Sequence, residues 1–189
     1  MDAKDWDARY EASPRVWSAT PNQFVESELV DLAPGSALDL ASGEGRNALW
    51  LASLGWQVTA IDYSAVAIER AAQSGSSVEW RVGDVLHDQL PADQDLVLVS
   101  YLQLPSDQMQ GFWPRAWAAV RRGGTLFVIA HDSSNLSQGV GGPQDPDCLY
   151  TAADVLCGLD GYDIIKAEQV ERATEAGTAI DALARIVKR

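Results

Sequence analysis

Residues 37–64 read ALDLASGEGRNALWLASLGWQVTAIDYS, and the rest of the chain is arranged around this stretch. It contains a short apolar run, a turn with Gly43 and Gly45, a helix-like run, a second apolar run and an acid, Asp62. This succession is typical of a β-α-β unit whose ligand-binding turn lies between the first strand and the helix. The stretch therefore predicts an α/β fold with a small-molecule site at the glycine turn.

The composition fits one globular domain over residues 1–189. The chain is 47% hydrophobic and 22% charged, and its length allows one α/β core with little room for a second. Its 14 basic and 27 acidic residues leave a net charge of -13. A surface this negative repels nucleic-acid phosphates and anionic membranes, so we expect a small molecule as partner, and no nucleic acid or membrane.

Nothing in the chain resembles a targeting or metal-binding segment. The first ten residues, MDAKDWDARY, are polar and acidic rather than signal-like, and no apolar run is long enough to span a bilayer. Cys148 and Cys157 have neither metal-ligand nor redox spacing. We therefore expect a cytoplasmic protein with reduced thiols and no bound metal. The oligomeric state is left open.

Periodicity and turn residues predict the remaining elements. Strands are expected over 36–41, 57–61, 78–82, 95–101, 125–131, 163–171 and 179–187. Helices are expected over 3–12, from an N-cap at Thr20, over 46–54, 64–73 and 106–120, and from Thr151. Five strand–helix units followed by a hairpin with a loop at 173–177 predict a Rossmann-like three-layer sandwich. Its seven-stranded sheet is mostly parallel with an antiparallel C-terminal β-hairpin, and helices cover both faces.

The glycine turn alone is compatible with two cofactor classes. The pattern Gly43-x-Gly45-x-x-Ala48 matches the dinucleotide fingerprint. Asp62 follows Gly43 by 19 residues, which suits the ribose-binding acid of an NAD enzyme. A nicotinamide-dependent oxidoreductase is therefore one interpretation.

The acids around the turn favour the other class. Glu44 lies between the glycines and Asp39 four residues before them, and a carboxylate there repels a pyrophosphate. S-adenosylmethionine has no phosphate, and an acidic pocket attracts its sulfonium and ammonium groups. Asp62, after the second strand, could bind the ribose hydroxyls, and Asp84, after the third, could accept from the adenine amino group.

The motifs resemble those of class I S-adenosylmethionine-dependent methyltransferases over nearly the whole chain. LDLASGEGRN at 38–47 looks like their first motif, DY at 62–63 the second, GDV at 83–85 the third and VLVSYLQLP at 97–105 the fourth-strand motif. WDARY near the N-terminus, followed by GEGRN, looks most like the small-molecule branch that includes tellurite-resistance and thiopurine methyltransferases. The resemblance implies a helical lid over residues 1–33 and a Rossmann-like core over 36–189.

The resemblance also implies positions for the cofactor contacts. Arg9, Tyr10 and Trp17 would fold over the bound cofactor, while the backbone of the glycine turn would hold its methionine end. The residues expected at the cofactor are Arg9, Tyr10, Trp17, Ala41, Gly43, Gly45, Asn47, Asp62, Tyr63, Asp84, Val85 and Tyr101.

His131 and Tyr101 are the candidates for a part in the chemistry. Methyl transfer is an in-line displacement at an activated sulfonium, so the protein must align the reactants and exclude water. A soft anionic acceptor needs no base, whereas an alcohol or a protonated amine does. His131 could be that base, with Asp132 orienting it, or it could simply cap the fifth strand. Tyr101 could form part of the pocket wall or donate a hydrogen bond.

The sequence thus predicts methyl transfer to a small acceptor such as a thiol, a chalcogen or metalloid, or another small nucleophile. The segment SYLQ at 100–103 differs from the Asn/Asp-Pro-Pro-aromatic motif of enzymes that methylate amino groups of bases or glutamine, which argues against those substrates. The loop at 132–147 and the lid are expected to form the acceptor pocket. An NAD(P)-dependent oxidoreductase and a non-catalytic S-adenosylmethionine-binding protein remain as alternatives.

Overall fold

Strands and helices alternate along most of the chain in the computed structural model, which describes residues 2–189. The strands are β1 (Ser36–Leu40), β2 (Gln57–Asp62), β3 (Glu79–Val82), β4 (Gln94–Ser100), β5 (Val120–His131), β6 (Tyr162–Thr174) and β7 (Gly177–Lys188). The helices are α1 (Ala3–Glu11), α2 (Gln23–Leu29), α3 (Arg46–Ser53), α4 (Ala65–Ala72), α5 (Ser106–Ala119), α6 (Asn135–Gln138) and α7 (Ala152–Leu156). A 3-10 turn spans Pro146–Cys148.

The seven strands form one sheet in the order β3-β2-β1-β4-β5-β7-β6. β1 pairs in parallel with β2 and β4, β2 with β3, and β4 with β5. β7 runs antiparallel between β5 and β6. The predicted Rossmann-like fold with an antiparallel C-terminal hairpin is therefore confirmed. The order reverses between β1 and β4, so the carboxyl ends of these strands form the crevice where α/β sheets bind ligands.

Two apolar cores flank the sheet because both of its faces are covered. Val97 and Val99 of β4 point into one core with Phe112 of α5, while Leu96 and Leu98 point into the other. Side chains alternate between the faces of a strand, so a strand with two buried faces reads as a continuous apolar run. This is why β4 was recognisable from sequence.

The structure differs from the predicted elements at several boundaries. The N-cap of α2 is Asn22 rather than Thr20, because the Asn22 side chain accepts from the amides of Phe24 and Val25. No helix joins β3 to β4, and the long loop after β5 contains the short helix α6. The hairpin strands continue further than expected, to Thr174 and from Gly177. In residues 2–189, no helix has the length and apolar character needed to cross a membrane.

Candidate functional site

A cavity of about 1500 Å³ opens at the carboxyl ends of the parallel strands. Its lining comes from α1 and the loop after it, from the glycine turn, from the segments after β2, β3 and β4, and from the β6–β7 hairpin. Small-molecule sites usually measure about 300–1,000 Å³. The cavity therefore has room for a cofactor of nucleoside size together with a small second ligand.

The structure brings most of the sequence-predicted residues to this cavity. The predicted residues that line it are Arg9, Tyr10, Trp17, Ala41, Gly43, Asn47, Asp62, Tyr63, Asp84, Val85, Tyr101 and His131. Gly45 does not line it. A Cβ atom at Gly45, where φ is +78°, would overlap the Trp80 ring, so this glycine is required for packing beneath the turn.

Asp62 holds the glycine turn from the end of β2. One of its oxygens accepts from the Gly43 amide at 2.8 Å, and the other accepts from the Ser64 amide at 2.9 Å. Burial raises the pKa of Asp62, and the two amide hydrogen bonds partly offset that rise. A carboxylate offers about four lone-pair sites, so capacity remains for two hydroxyl groups on the cavity side.

Glu44 and Asp39 have different surroundings from those that the charge argument assumed. The Glu44 carboxylate accepts from the amides of Val16 and Trp17, at 2.9 Å and 3.2 Å, and lies 3.4 Å from the Arg70 guanidinium. Arg70 therefore balances the charge of Glu44. The hydrogen bonds of Glu44 to the Val16 and Trp17 amides, which we call the Glu44 latch, join the turn to the N-terminal segment. The argument that Glu44 repels a pyrophosphate is therefore weakened.

Asp39 is a buried carboxylate on β1, beneath the turn. It is 1% exposed, and neither of its oxygens makes a hydrogen bond of good geometry, although the Arg46 charge and the Ala48 amide partly favour its ionised form. Burial raises its pKa to about 7, and the nearby charge of Asp62 adds to the rise. A buried carboxylate without good hydrogen bonds is costly, and a positive charge in the cavity above it would reduce that cost.

The N-terminal segment closes one side of the cavity. Tyr10 is buried, and its hydroxyl accepts from the Trp17 indole at 3.1 Å. The same hydroxyl lies over the turn, 2.8 Å from where a Cβ atom of Gly43 would be. The Arg9 guanidinium lies 5.0 Å from the Trp6 ring and 5.3 Å from the Trp17 ring, a cation–π arrangement.

Further contacts tie this segment to the core. The Asp7 carboxylate accepts from the Ser64 hydroxyl at 2.5 Å and from the Val66 amide at 3.3 Å. Arg46, at the start of α3, lines the cavity and donates to the Ser18 hydroxyl at 2.9 Å. Residues 3–22 are thus joined to the core at several points.

Asp84 lies at the mouth of the cavity after β3. One of its oxygens accepts from the Leu86 amide at 2.9 Å, and the other lies 2.8 Å from Nδ1 of His87. The side chains of Asp84 and His87 are 43% and 78% exposed, so this pair is solvated.

A polar network in the cavity joins two predicted residues, Asn47 and Tyr101, to Asn22, Arg172 and Asp181, which the sequence analysis missed. The Asn47 side chain accepts from the Asn22 amide at 2.9 Å, and the Asn22 side chain donates to the Tyr101 hydroxyl at 3.1 Å. Tyr101 in turn donates to Asp181 at 2.7 Å, and the Arg172 guanidinium donates to the same carboxylate oxygen at 2.7 Å. The one sequence signal was an acid, Asp181, within the otherwise apolar strand run.

The expected pairing of His131 with Asp132 is wrong. The Asp132 carboxylate accepts from Ser134 and from the Gln169 side chain, at 2.8 Å and 2.7 Å, and so points away from His131. His131 instead faces Asp181, its partner in the β5–β7 register. Alternation places residues adjacent in sequence on opposite faces of a strand, which explains the error.

The described residues contain no recognisable metal site. In 2–189, no group of three or more His, Cys, Asp and Glu side chains is arranged to hold a metal ion.

Comparison with known proteins gave one family match and many structural matches. Residues 37–124 match the sequence model of a family described as "Methyltransferase domain". A search of curated proteins found no significant match.

Three similar solved structures cover nearly the whole of this chain. One, from work on the conversion of a disulfide bond into a thioacetal group during echinomycin biosynthesis, has a TM-score of 0.79 and 22% identity over 98% of this chain and 91% of its own. TehB from Haemophilus influenzae has a TM-score of 0.75 and 15% identity, over 100% of this chain and 68% of its own. The N-methyltransferase NodS from Bradyrhizobium japonicum, bound to S-adenosylhomocysteine, has a TM-score of 0.72 and 18% identity, over 98% of each chain. At these identities the likeness shows the fold.

Proposed function

We propose that this protein is an S-adenosylmethionine-dependent methyltransferase that acts on a small-molecule acceptor. The match of residues 37–124 to a family described as "Methyltransferase domain" supports the proposal. The observation that carries the proposal is the cavity of about 1500 Å³, which runs from the glycine turn to the polar network around Tyr101. When bound, the cofactor supplies a methyl group on a sulfonium centre. The residues around it bind, orient and exclude water.

The glycine-turn end of the cavity suits a nucleoside that also carries cationic groups. Asp62 has acceptor capacity left for two ribose hydroxyls after binding the amides of Gly43 and Ser64. Asp39, buried and without a hydrogen bond of good geometry, lies beneath the turn, where a nearby ammonium or sulfonium would stabilise its charged form. We assign the ribose to Asp62 and the adenine amino group to Asp84.

The lid predicted over residues 1–33, of which the structure describes 2–33, covers the core formed by 36–189, and the two together make one methyltransferase domain. Support comes from the Tyr10–Trp17 hydrogen bond above Gly43 and from the Glu44 latch. A lid that excludes water favours methyl transfer because water competes for the acceptor position and weakens electrostatic interactions.

The acceptor is a small nucleophile: a thiol, a chalcogen or metalloid, or an oxygen or nitrogen nucleophile. Tyr101, His131 and Arg172 line the end of the cavity where it would lie, beyond the glycine turn. One structural neighbour comes from work on the conversion of a disulfide bond into a thioacetal group, and another is an N-methyltransferase, so the shared fold is compatible with different acceptor atoms. We further expect the protein to act in the cytoplasm, with Cys148 and Cys157 as free thiols.

Calorimetric titration with S-adenosylhomocysteine tests the cofactor assignment. We expect Asp62→Ala to weaken binding by about 1–3 kcal/mol, the usual cost of unpairing a charged hydrogen bond. Asp31→Ala is the control, because Asp31 is exposed and does not line the cavity. The absence of binding to the wild-type protein up to millimolar ligand would refute the proposed function. Equal affinity of Asp62→Ala and wild type would remove Asp62 from the ribose site.

Turnover then separates an enzyme from a protein that only binds the cofactor. Formation of S-adenosylhomocysteine from S-adenosylmethionine is measured with small thiols, phenols, amines and chalcogen anions. Transfer to at least one of them is the expected result. Tight cofactor binding with no transfer to any of them would favour the non-catalytic alternative.

A further inference from the structure

Asp181 is a fully buried carboxylate that faces three other polar side chains. It is 0% exposed and lies on β7. Its Oδ2 accepts from the Tyr101 hydroxyl and from Nε of Arg172, each at 2.7 Å, and its Oδ1 lies 3.3 Å from Nδ1 of His131. A buried carboxylate is stable only when its charge and lone pairs are satisfied, and here three elements of the fold contribute to that.

Strand pairing produces this convergence. The antiparallel register of β5 and β7 places His131 opposite Asp181, and that of β6 and β7 places Val170 opposite it. Arg172 follows Val170 by two residues and so lies on the same face of β6. Tyr101 directly follows β4 with a φ of 59°, and its ring centroid is 5.1 Å from that of His131.

Charged and titratable groups face His131 from each neighbouring element. They are Asp181 on β7, Arg172 on β6 and Tyr101 after β4. Burial lowers the pKa of His131, the Asp181 charge opposes this, and the Arg172 charge adds to it. The ring is therefore neutral at neutral pH, as a proton acceptor must be.

The two nitrogens of His131 have different surroundings. Nδ1 is buried and has no hydrogen-bond partner, although it lies within ion-pair distance of Asp181. The contact is therefore electrostatic in this conformation, with 3.3 Å between Nδ1 of His131 and Oδ1 of Asp181. The ring lines the cavity, and the exposed 14% of the side chain opens on it.

We infer that Asp181 is a positioning residue that keeps the proton of neutral His131 on Nδ1 and leaves Nε2 free to accept a proton from the methyl acceptor. The inference rests on the proposed function. It narrows the acceptor to a small molecule with an ionisable O–H, N–H or S–H, because an acceptor that is already a soft anion needs no base.

The proposed methyl transfer conserves protons and electrons. A lone pair of the acceptor forms a bond to the methyl carbon, and the carbon–sulfur bond breaks with its electron pair moving to sulfur. The acceptor proton passes to Nε2 of His131. Asp181 faces the resulting imidazolium, and Arg172 and Tyr101 donate hydrogen bonds to its carboxylate.

Nuclear magnetic resonance of ¹⁵N-histidine-labelled protein tests the positioning role without any acceptor. The chain contains 2 histidines, and the exposed His87 is the internal control. We expect wild-type His131 to carry its proton on Nδ1. In Asp181→Asn, we expect the proton to move toward Nε2 and the pKa of His131 to fall by about one pH unit. His87 should not change. An unchanged tautomer and pKa of His131 would overturn the inference.

A second variant covers the case in which Asp181→Asn does not fold. Arg172→Gln keeps the buried carboxylate and removes the cation that lowers the pKa of His131. The pKa of His131 should then rise. A fall or no change in the pKa of His131 in a folded Arg172→Gln protein contradicts the assigned geometry.

Turnover with two sets of probes tests the acceptor class. The protic set contains phenol, aniline, benzylamine and 2-mercaptoethanol, and the anionic set contains sulfide and selenide. We expect transfer to a protic probe, and His131→Gln should reduce it about 100-fold or more while S-adenosylhomocysteine still binds. Transfer only to the anionic set, or an undiminished rate in His131→Gln, would overturn the acceptor class. No transfer to any probe by a protein that binds the cofactor would contradict the proposed methyl transfer itself. Loss of S-adenosylhomocysteine binding by wild type would instead refute the proposed function, and the histidine spectra would remain readable.

Discussion

Replacing Gly43 by alanine should lift the Tyr10 side chain from the glycine turn. A Cβ atom at Gly43 would lie 2.8 Å from the Tyr10 hydroxyl, closer than real Cβ contacts come, while the next atoms, on the Trp17 ring, are at 3.5 Å and 3.6 Å. The hydroxyl is also bonded to the Trp17 indole, so it cannot move without breaking that bond. The change therefore disturbs the N-terminal segment at the point where Tyr10 packs on the turn.

The cost has two separable parts. The φ of Gly43 is +56°, a left-handed conformation that costs a side-chain-bearing residue about 1–2 kcal/mol. Overpacking against Tyr10 adds about 1–3 kcal/mol. Gly75→Ala is the matched control, because Gly75 has a φ of +66° and no atom within 4 Å of an added Cβ. Gly75→Ala should lose only about 1–2 kcal/mol, the backbone strain of a left-handed conformation.

Urea unfolding and calorimetric titration measure both consequences. We expect Gly43→Ala to unfold at lower urea than Gly75→Ala and to bind S-adenosylhomocysteine about tenfold more weakly, equivalent to about 1.4 kcal/mol. Tyr10→Phe removes the hydroxyl that the Cβ would contact, so the double variant should lose less stability than the sum of the two single variants. The expected coupling is about 1–2 kcal/mol. Strict additivity, or equal destabilisation by Gly43→Ala and Gly75→Ala, would refute the reasoning.

Three further predictions concern the same turn. Ala41 has a φ of 60°, so Ala41→Gly should relieve strain and raise the free energy of unfolding by up to about 1 kcal/mol, seen as a higher urea midpoint; a lower midpoint would contradict this. The pKa of Asp39 is about 7 in the folded protein and 3.8 ordinarily, so the folded state retains a proton that the unfolded chain releases between these values. Wild-type stability should therefore fall from pH 5 to pH 7 by about 1–3 kcal/mol more than that of Asp39→Asn, and parallel profiles would show that Asp39 titrates normally. Glu44→Ala should speed hydrogen exchange at the Val16 and Trp17 amides, which it binds, without affecting β4 amides; unchanged exchange would argue against the latch.

Most of the fold could be predicted from the sequence because apolar periodicity and turn residues act over short stretches of the chain. The folded chain has the elements that these short stretches predict. They are the apolar runs of β1, β2 and β4, the turn with Gly43, and the acid at the end of β2. The short loop of the C-terminal hairpin likewise required antiparallel strands. Errors arose where two signals compete over one or two residues, as between Thr20 and Asn22 for the N-cap of α2.

The glycine-turn end of the cavity was also accessible from sequence. Gly43 and Asp62 lie on consecutive elements of one β-α-β unit, so their meeting follows from the order of strand, turn, helix and strand. The lid residues Tyr10 and Trp17 came instead from the resemblance to a family, and the structure places both at the cavity. The roles of Gly45 in packing and of Glu44 in holding the lid depend on atoms far along the chain, Trp80 and Val16.

Which side chains meet around Asp181 in the cavity could be read only from the tertiary structure. Asp181 meets Tyr101 from 80 positions away, and its partner His131 is reached only through the register of β5 with β7. A strand pairing is a long-range choice that fixes which side chains share a face, and neighbours in sequence, such as His131 and Asp132, are sent to opposite faces. The sequence by itself therefore determined the fold and where the methyl donor is expected to lie. The groups that we expect to face the acceptor were decided by sheet assembly, because they come from strands that are distant in the chain and adjacent only in the folded sheet.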